Sequence, residues 1–196
     1  MMGCTTAANS AISAASILSV FAKWVSELNK LGMDCEIHPE FLFETQTGFL
    51  PFKVNIKENS HEALMNREYL TGFEYYLDDF NLEENTEYLE KSFFQKLLKK
   101  PKEKKHFHTK EIYEQLQDKK YIITFNFGIS DTLELRMASL ASVTLSKLAN
   151  GVCCYADDNI WYDNTNIIEN ALNDVTEYEK SLRQREFRLH GFEEWL

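Results

Sequence analysis

Residues 119–163, KKYIITFNFGISDTLELRMASLASVTLSKLANGVCCYADDNIWYD, constrain the fold more than any other stretch, because they spell out a strand, a helix and a second strand. Tyr121, Ile123, Phe125 and Phe127 alternate with Ile122, Thr124 and Asn126. Their β-branched and aromatic content suits a pleated surface buried on at least one side. Gly128 breaks the run, and Asp131 with Glu134 then has capping-box spacing: the Asp carboxylate accepts an orphan amide of the first turn while the Glu reaches back. In the helix predicted at 131–149, Leu133, Met137, Leu140, Thr144 and Leu148 share one face, and Leu135, Ala138, Ser142, Leu145 and Ala149 share the next. Beyond the Asp131 cap, only Glu134, Arg136 and Lys147 are charged. A helix apolar around most of its circumference is covered by neighbours on several sides, so this one is predicted at the centre of the domain. Asn150-Gly151 offers a left-handed stop, and Val152–Tyr155 starts the next strand.

The rest of the chain is read against that unit. Residues 5–22 carry no charge, yet no basic region precedes them, their first half is Ala/Ser/Thr, and Lys23 follows at once. A signal peptide or membrane span is not expected there. Met-Met-Gly-Cys at the start lacks the apolar run that a lipidated cysteine needs before it. Ile17, Leu18, Phe21, Val25 and Leu28 recur at helical spacing instead, and Gly32 stands where a helix-ending glycine belongs. The period then changes to two: Phe52, Val54 and Ile56 alternate with Lys53, Asn55 and Lys57, and Phe73, Tyr75 and Leu77 alternate with Glu74, Tyr76 and Asp78. Strands with one wet face point to antiparallel pairing. Cys35–Phe43 adds a candidate strand that Pro39 confines to an edge or an end. Helices are predicted at about 85–100, about 109–118 and from about 164, the last with an apolar stripe of Ile168, Leu172, Val175, Tyr178 and Leu182. The sum is one α+β domain over residues 1–196, with mixed α/β as the alternative: about five largely antiparallel strands packed by about five helices.

Composition supports a single core: 44% of the 196 residues are hydrophobic and 13% aromatic, and no Pro/Gly/Ser linker divides them. The four cysteines (Cys4, Cys35, Cys153, Cys154) include no CxxC pair and read as reduced thiols of a cytoplasmic protein. Charge is segregated. Residues 68–90 hold eight acids and no base, and residues 91–110 hold eight lysines against Glu103. A net charge of −10 disfavours nucleic acid, whose phosphates are bound through a basic surface. The lysine run at 99–105 has neither aromatics nor arginine and reads as a solvated connection rather than a nucleic-acid or membrane patch.

Catalytic and cofactor motifs are absent from the sequence. His106 and His108 lack the companion ligands of a zinc site, and His38, His61 and His190 stand alone. Adjacent acids such as Asp78-Asp79 and Asp157-Asp158 point to opposite faces of a strand, which is wrong for joint acid/base work at one bond. No glycine-rich phosphate loop occurs. The expectation is no catalytic residue, no metal and no cofactor. The acids at 68–90 accompany Tyr75, Tyr76 and Phe80, a composition suited to a basic protein partner.

The run LSKLANGVCCYADDNIWYD (145–163), about a tenth of the chain, resembles a pattern of small bacterial proteins and of immunity proteins of polymorphic toxin systems. Leu148, Ala149 and Gly151 end the helix, Val152 opens a short apolar strand, Asp157 and Asp158 form an acidic turn, and Trp161 and Tyr162 an aromatic pair. The doubled cysteine departs from the pattern. The resemblance implies a non-enzymatic cytoplasmic antitoxin that blocks one cognate effector. The partner surface expected from these readings is Asp78, Asp79, Glu83, Glu84, Asp157, Asp158, Trp161 and Tyr162. The competing expectation is a small enzyme or ligand-binding domain whose site gathers distant residues, with Cys153 or Cys154 beside a histidine, in a deep pocket.

Overall fold

A computed structural model describes residues 2–9, 23–43, 47–82, 110–128, 131–155, 160–162, 164–183, 186–189, 191–192 and 194. It is an α+β protein. Seven strands, β1 (Met2–Asn9), β2 (Met33–Ile37), β3 (Gly48–Ile56), β4 (Glu68–Asp79), β5 (Lys119–Phe127), β6 (Val152–Tyr155) and β7 (Ile160–Tyr162), form one sheet in the order β2-β3-β4-β5-β1-β6-β7. Neighbouring strands are antiparallel throughout. The described helices are α1 (23–29), α2 (Lys110–Leu116), α3 (Thr132–Leu148) and α4 (Ile167–Ser181). The predicted helix at 85–100 and the first turns of the one predicted over 17–28 lie outside the described residues.

The described part of the 119–163 unit forms as its sequence reads. Asp131 caps α3 by accepting the Glu134 amide at 2.8 Å, and the Glu134 carboxylate reaches back beyond the cap to the Gly128 amide at 2.9 Å. Asn150 takes the left-handed conformation, φ 50°. The Gly151 and Asn150 amides then bond the Ser146 and Lys147 carbonyls, which closes the helix as a Schellman turn. From Thr132 to Ser146 nearly every residue of α3 is buried. The surprise lies beside it: β5 and β6 are not neighbours, because β1 runs between them. Strand, helix and strand thus make a split β-α-β unit, and α3 packs against β1, β4, β5 and β6.

The N-terminal strand corrects the reading of residues 5–22, whose first positions are strand rather than part of a helical segment. MGCTTAAN is small and uncharged, so it carries no alternation to betray a central strand. Helical structure is described from residue 23, and Gly32 ends that segment at φ 84°. The strand predicted within 35–43 is shorter and earlier than expected, stopping at Ile37 on the sheet edge two residues before Pro39. Pro51 sits inside β3 beyond the last β2 pairing, where its missing N–H costs no bond to that neighbour.

One face of the sheet carries the core. Leu50, Phe52, Val54, Ile56, Phe73, Tyr75, Ile123, Phe125 and Phe127 lie there under α3 and α1. Trp24 of α1 is fully buried among Phe43, Phe52 and Phe125, with ring centroids 5.9–6.1 Å away, and its indole N–H donates to the Ala141 carbonyl at 2.8 Å. That bond satisfies the polar tip of a large apolar side chain and pins α1 across α3. On the opposite face, Ile112 and Leu116 of α2 cover Val152.

The last helix also differs from expectation. Its buried stripe is Ile167, Ala171, Val175 and Glu179, one residue earlier than the predicted 168/172 line, while Tyr178 stays 38% exposed. Glu179 lies on that stripe: a carboxylate that the pattern assigns to water is fully buried against Arg136 of α3, Oε1 to Nη1 2.8 Å.

Candidate functional site

The sheet face away from α3 has an open region at β4 and β5. Side chains alternate along a strand, so Glu74, Tyr76 and Asp78 share that face, and the register sets them directly across from Asn126, Thr124 and Ile122. Glu74 and Asp78 are exposed; the other four are half-buried. Glu74 organises the patch. Its Oε2 accepts from Asn126 Nδ2 at 3.4 Å, and it hydrogen-bonds Tyr76. Partial desolvation, then the bond to Glu74 and its charge, hold the Tyr76 phenol above its ordinary range. The arrangement presents an aromatic ring flanked by two carboxylates on a rigid strand pair. Farther along the same face the Glu68 carboxylate lies 3.4 Å from Lys53, so that acid is already answered.

The structure divides the expected partner surface. Asp78 lies on this open face, whereas Asp79, its neighbour in a strand, projects to the other side beside the 38%-exposed Tyr121. Tyr75, expected with the acids, is fully buried in the core, where burial raises its phenol pKa. Leu77, Ile123, Thr6, Cys153 and Tyr162 form one row across the sheet, which places Tyr162 four strand spacings from Leu77. At about 4.8 Å per spacing that is about 19 Å. Tyr162 is half-buried, and its hydroxyl donates to Asp174 of α4 at 3.4 Å. The backbone of Trp161 pairs with Cys154 in β7. Glu83, Glu84, Asp157 and Asp158 lie outside the described residues. Tyr155 and Ile160 pair in the row of Tyr75, three residues back along β4 from Asp78. The expected residues that are described therefore do not converge.

The cysteines of the competing enzyme reading lie inside the protein. Cys153, fully buried, sits 4.0 Å from the Ser142 hydroxyl, and Cys154 is buried on the side of the sheet that α2 covers. Burial, then the adjacent Cys153, pushes the Cys154 thiol up to about 12, and burial with Asp34 pushes Cys35 to about 12 against the opposing pull of Arg136. Thiols with such values are protonated at neutral pH and lack nucleophilic character. His38 follows β2 at the far edge of the sheet; His61 stacks on Phe187 at 4.6 Å and accepts from the Ala63 amide. Among the described residues no group of three or more His, Cys, Asp or Glu side chains is placed to hold a metal ion, and no helix is long and apolar enough to cross a membrane.

Two features lie outside the partner surface expected from the sequence. Glu74 was legible in the alternation of β4 but not in the count of acids, because every second acid leaves the face. Arg136 and Glu179 were hidden, since only the fold brings residues 43 positions apart into a pair. Comparison with protein-family models, with curated proteins and with solved structures found no match to this chain.

Proposed function

We propose that the chain is a non-enzymatic protein-binding domain of the immunity type, acting in the cytoplasm on one basic effector that docks on the open sheet face. The observation that supports this reading is the Glu74–Tyr76–Asp78 strip with Thr124 and Ile122 beside it. It combines an aromatic anchor, a partly apolar floor and two exposed carboxylates on strands held in register by the core. A chain of net charge −10 attracts a basic partner over distance, and the strip gives that attraction a place to end. The resemblance of 145–163 to immunity proteins supports the same class, and of the strip's residues Asp78 belongs to the partner surface expected from the sequence.

The test is binding to the product of the adjacent toxin-domain gene, measured by calorimetry. Glu74→Lys with Asp78→Lys is expected to weaken binding at least about tenfold, since reversing a charge at a complementary interface turns attraction into repulsion. Glu177→Lys on α4, where the side chain is 79% exposed, is expected to leave it unchanged. Equal affinity for all three proteins would remove the strip from the interface.

A further inference from the structure

A polar cleft of about 330 Å³ opens where the ends of α2 and α3 meet the start of β5 and the segment before α4. Gln115, Lys119, Lys147, Asn150, Asn164 and Thr165 line it. Among the described residues the lining comprises two lysines and four neutral polar residues and no carboxylate, in a chain that is strongly acidic overall.

Lys119 is the anomaly. Its side chain is only 3% exposed, and its Nζ lies 2.6 Å from Asp118 Oδ1, on a carboxylate that is itself 59% exposed and outside the lining. Lys147 Nζ donates to the Asn164 main-chain carbonyl. An ammonium has three protons to donate. Each lysine thus keeps two donors for a ligand; the charge of the buried Lys119 is already met by Asp118, and ligand oxygens would satisfy its remaining N–H groups.

The neutral groups are set rather than loose. Asn164 Nδ2 donates to Asn150 Oδ1 at 3.2 Å, and Asn150 is held at φ 50° by the Schellman turn. That turn already engages the Ser146 and Lys147 carbonyls, so the end of α3 does not present those two oxygens to an incoming anion. Asn164 Oδ1 is buried without a hydrogen-bond partner, an acceptor waiting for an O–H.

From this we infer that the cleft binds a phosphomonoester or inorganic phosphate. Lys119 and Lys147 take the phosphoryl oxygens, and Asn164 Oδ1 accepts a hydroxyl of the ligand or the proton of monohydrogen phosphate. Lysines without an arginine fork favour a compact multivalent oxyanion held as a point charge over a planar carboxylate held in two parallel bonds.

The experiment titrates inorganic phosphate and glycerol phosphate into the full chain at fixed ionic strength, with chloride as the reference, and follows binding by calorimetry and phosphorus NMR. Phosphate is expected to bind where chloride does not; tighter binding of glycerol phosphate identifies a phosphorylated small molecule as the occupant, tighter inorganic phosphate the free anion. Lys147→Gln, at an exposed position on the last turn of α3, is expected to weaken binding by about tenfold or more, the worth of one charged hydrogen bond. Lys53→Gln, on β3, serves as the equal change of charge elsewhere and is expected to have no effect. Lys119→Met is expected to abolish binding, and if that variant fails to fold, Lys147→Gln decides. No response to phosphate beyond chloride, or the same affinity in Lys147→Gln and Lys53→Gln, overturns the assignment.

Discussion

Replacing Glu179 by Gln preserves shape and removes one charge from a site that water does not reach. Both members of the Arg136–Glu179 pair have fully buried side chains. Each also holds the loop after β3: Arg136 Nη2 donates to the Asn59 carbonyl at 2.8 Å, and Glu179 Oε2 accepts from the Ser60 hydroxyl at 2.8 Å and the His61 amide at 3.2 Å. The pair therefore ties α3, α4 and that loop into one unit. Glu179→Gln leaves the guanidinium uncompensated, which costs about 3–5 kcal/mol for a buried pair with one partner removed. In a domain of this size each kcal/mol shifts Tm by about 2–4 °C, so a drop of about 6–20 °C is expected in a thermal melt. Arg136→Met combined with Glu179→Leu removes both charges together. It is expected to lose less than the sum of its two single variants, keeping the deficit of the loop groups that lose partners, about 1 kcal/mol each. Urea unfolding of Arg136→Met, Glu179→Leu and the double variant closes the cycle. A loss below about 1 kcal/mol in Glu179→Gln, or a double variant whose loss equals the sum of the singles, would refute a desolvated, coupled pair.

Other consequences are checked by simpler means. The Cys35 thiol rises from 9.0 to about 12 on folding, so its contribution to stability is fully present below pH 9 and is lost as pH rises toward 12. Over that window the pH slope of the unfolding free energy should be about 1.4 kcal/mol per unit smaller in Cys35→Ala than in the wild type; identical slopes would contradict the burial argument. Asp131→Ala removes the cap of α3 and should cost about 1 kcal/mol in urea unfolding, while Asp131→Asn, which keeps an acceptor oxygen, should cost less. A methyl added at Gly72 would sit 2.3 Å from the Leu50 carbonyl oxygen and 2.4 Å from the Phe49 ring. Gly72→Ala is expected to cost about 1–3 kcal/mol. Truncating Phe49 in that background should not restore stability, because the closer clash is with backbone; full rescue would show that the ring alone sets the limit.

What the chain discloses depends on whether local signals and tertiary demands agree. Strand β5, the cap at Asp131, the helix α3 and the stop at Asn150 each satisfy their own local chemistry and the core at once, so they could be read residue by residue. Strand β1 satisfies only the second demand. Its small uncharged residues lie between β5 and β6, and nothing in their order marks a strand. Helix α4 shows the opposite failure: a hydrophobic pattern places Glu179 in water, and Arg136 with the Ser60 hydroxyl and His61 amide makes its burial tolerable.

The surface obeys the same logic. A cluster of acids in sequence becomes a surface only after the period of the strand divides it, and β4 sends Asp78 and Asp79 to opposite sides. The strip that remains, Glu74, Tyr76 and Asp78, is smaller than the acidic run but geometrically coherent. Coherence matters for recognition because a partner meets a face of fixed side chains, not a segment. Two carboxylates flanking a half-buried ring on paired strands lose little freedom on docking, whereas acids on opposite faces cannot engage one partner together. If the strip is the interface, its charge reversal will act on affinity without disturbing the core, since none of its three side chains reaches the buried face of the sheet.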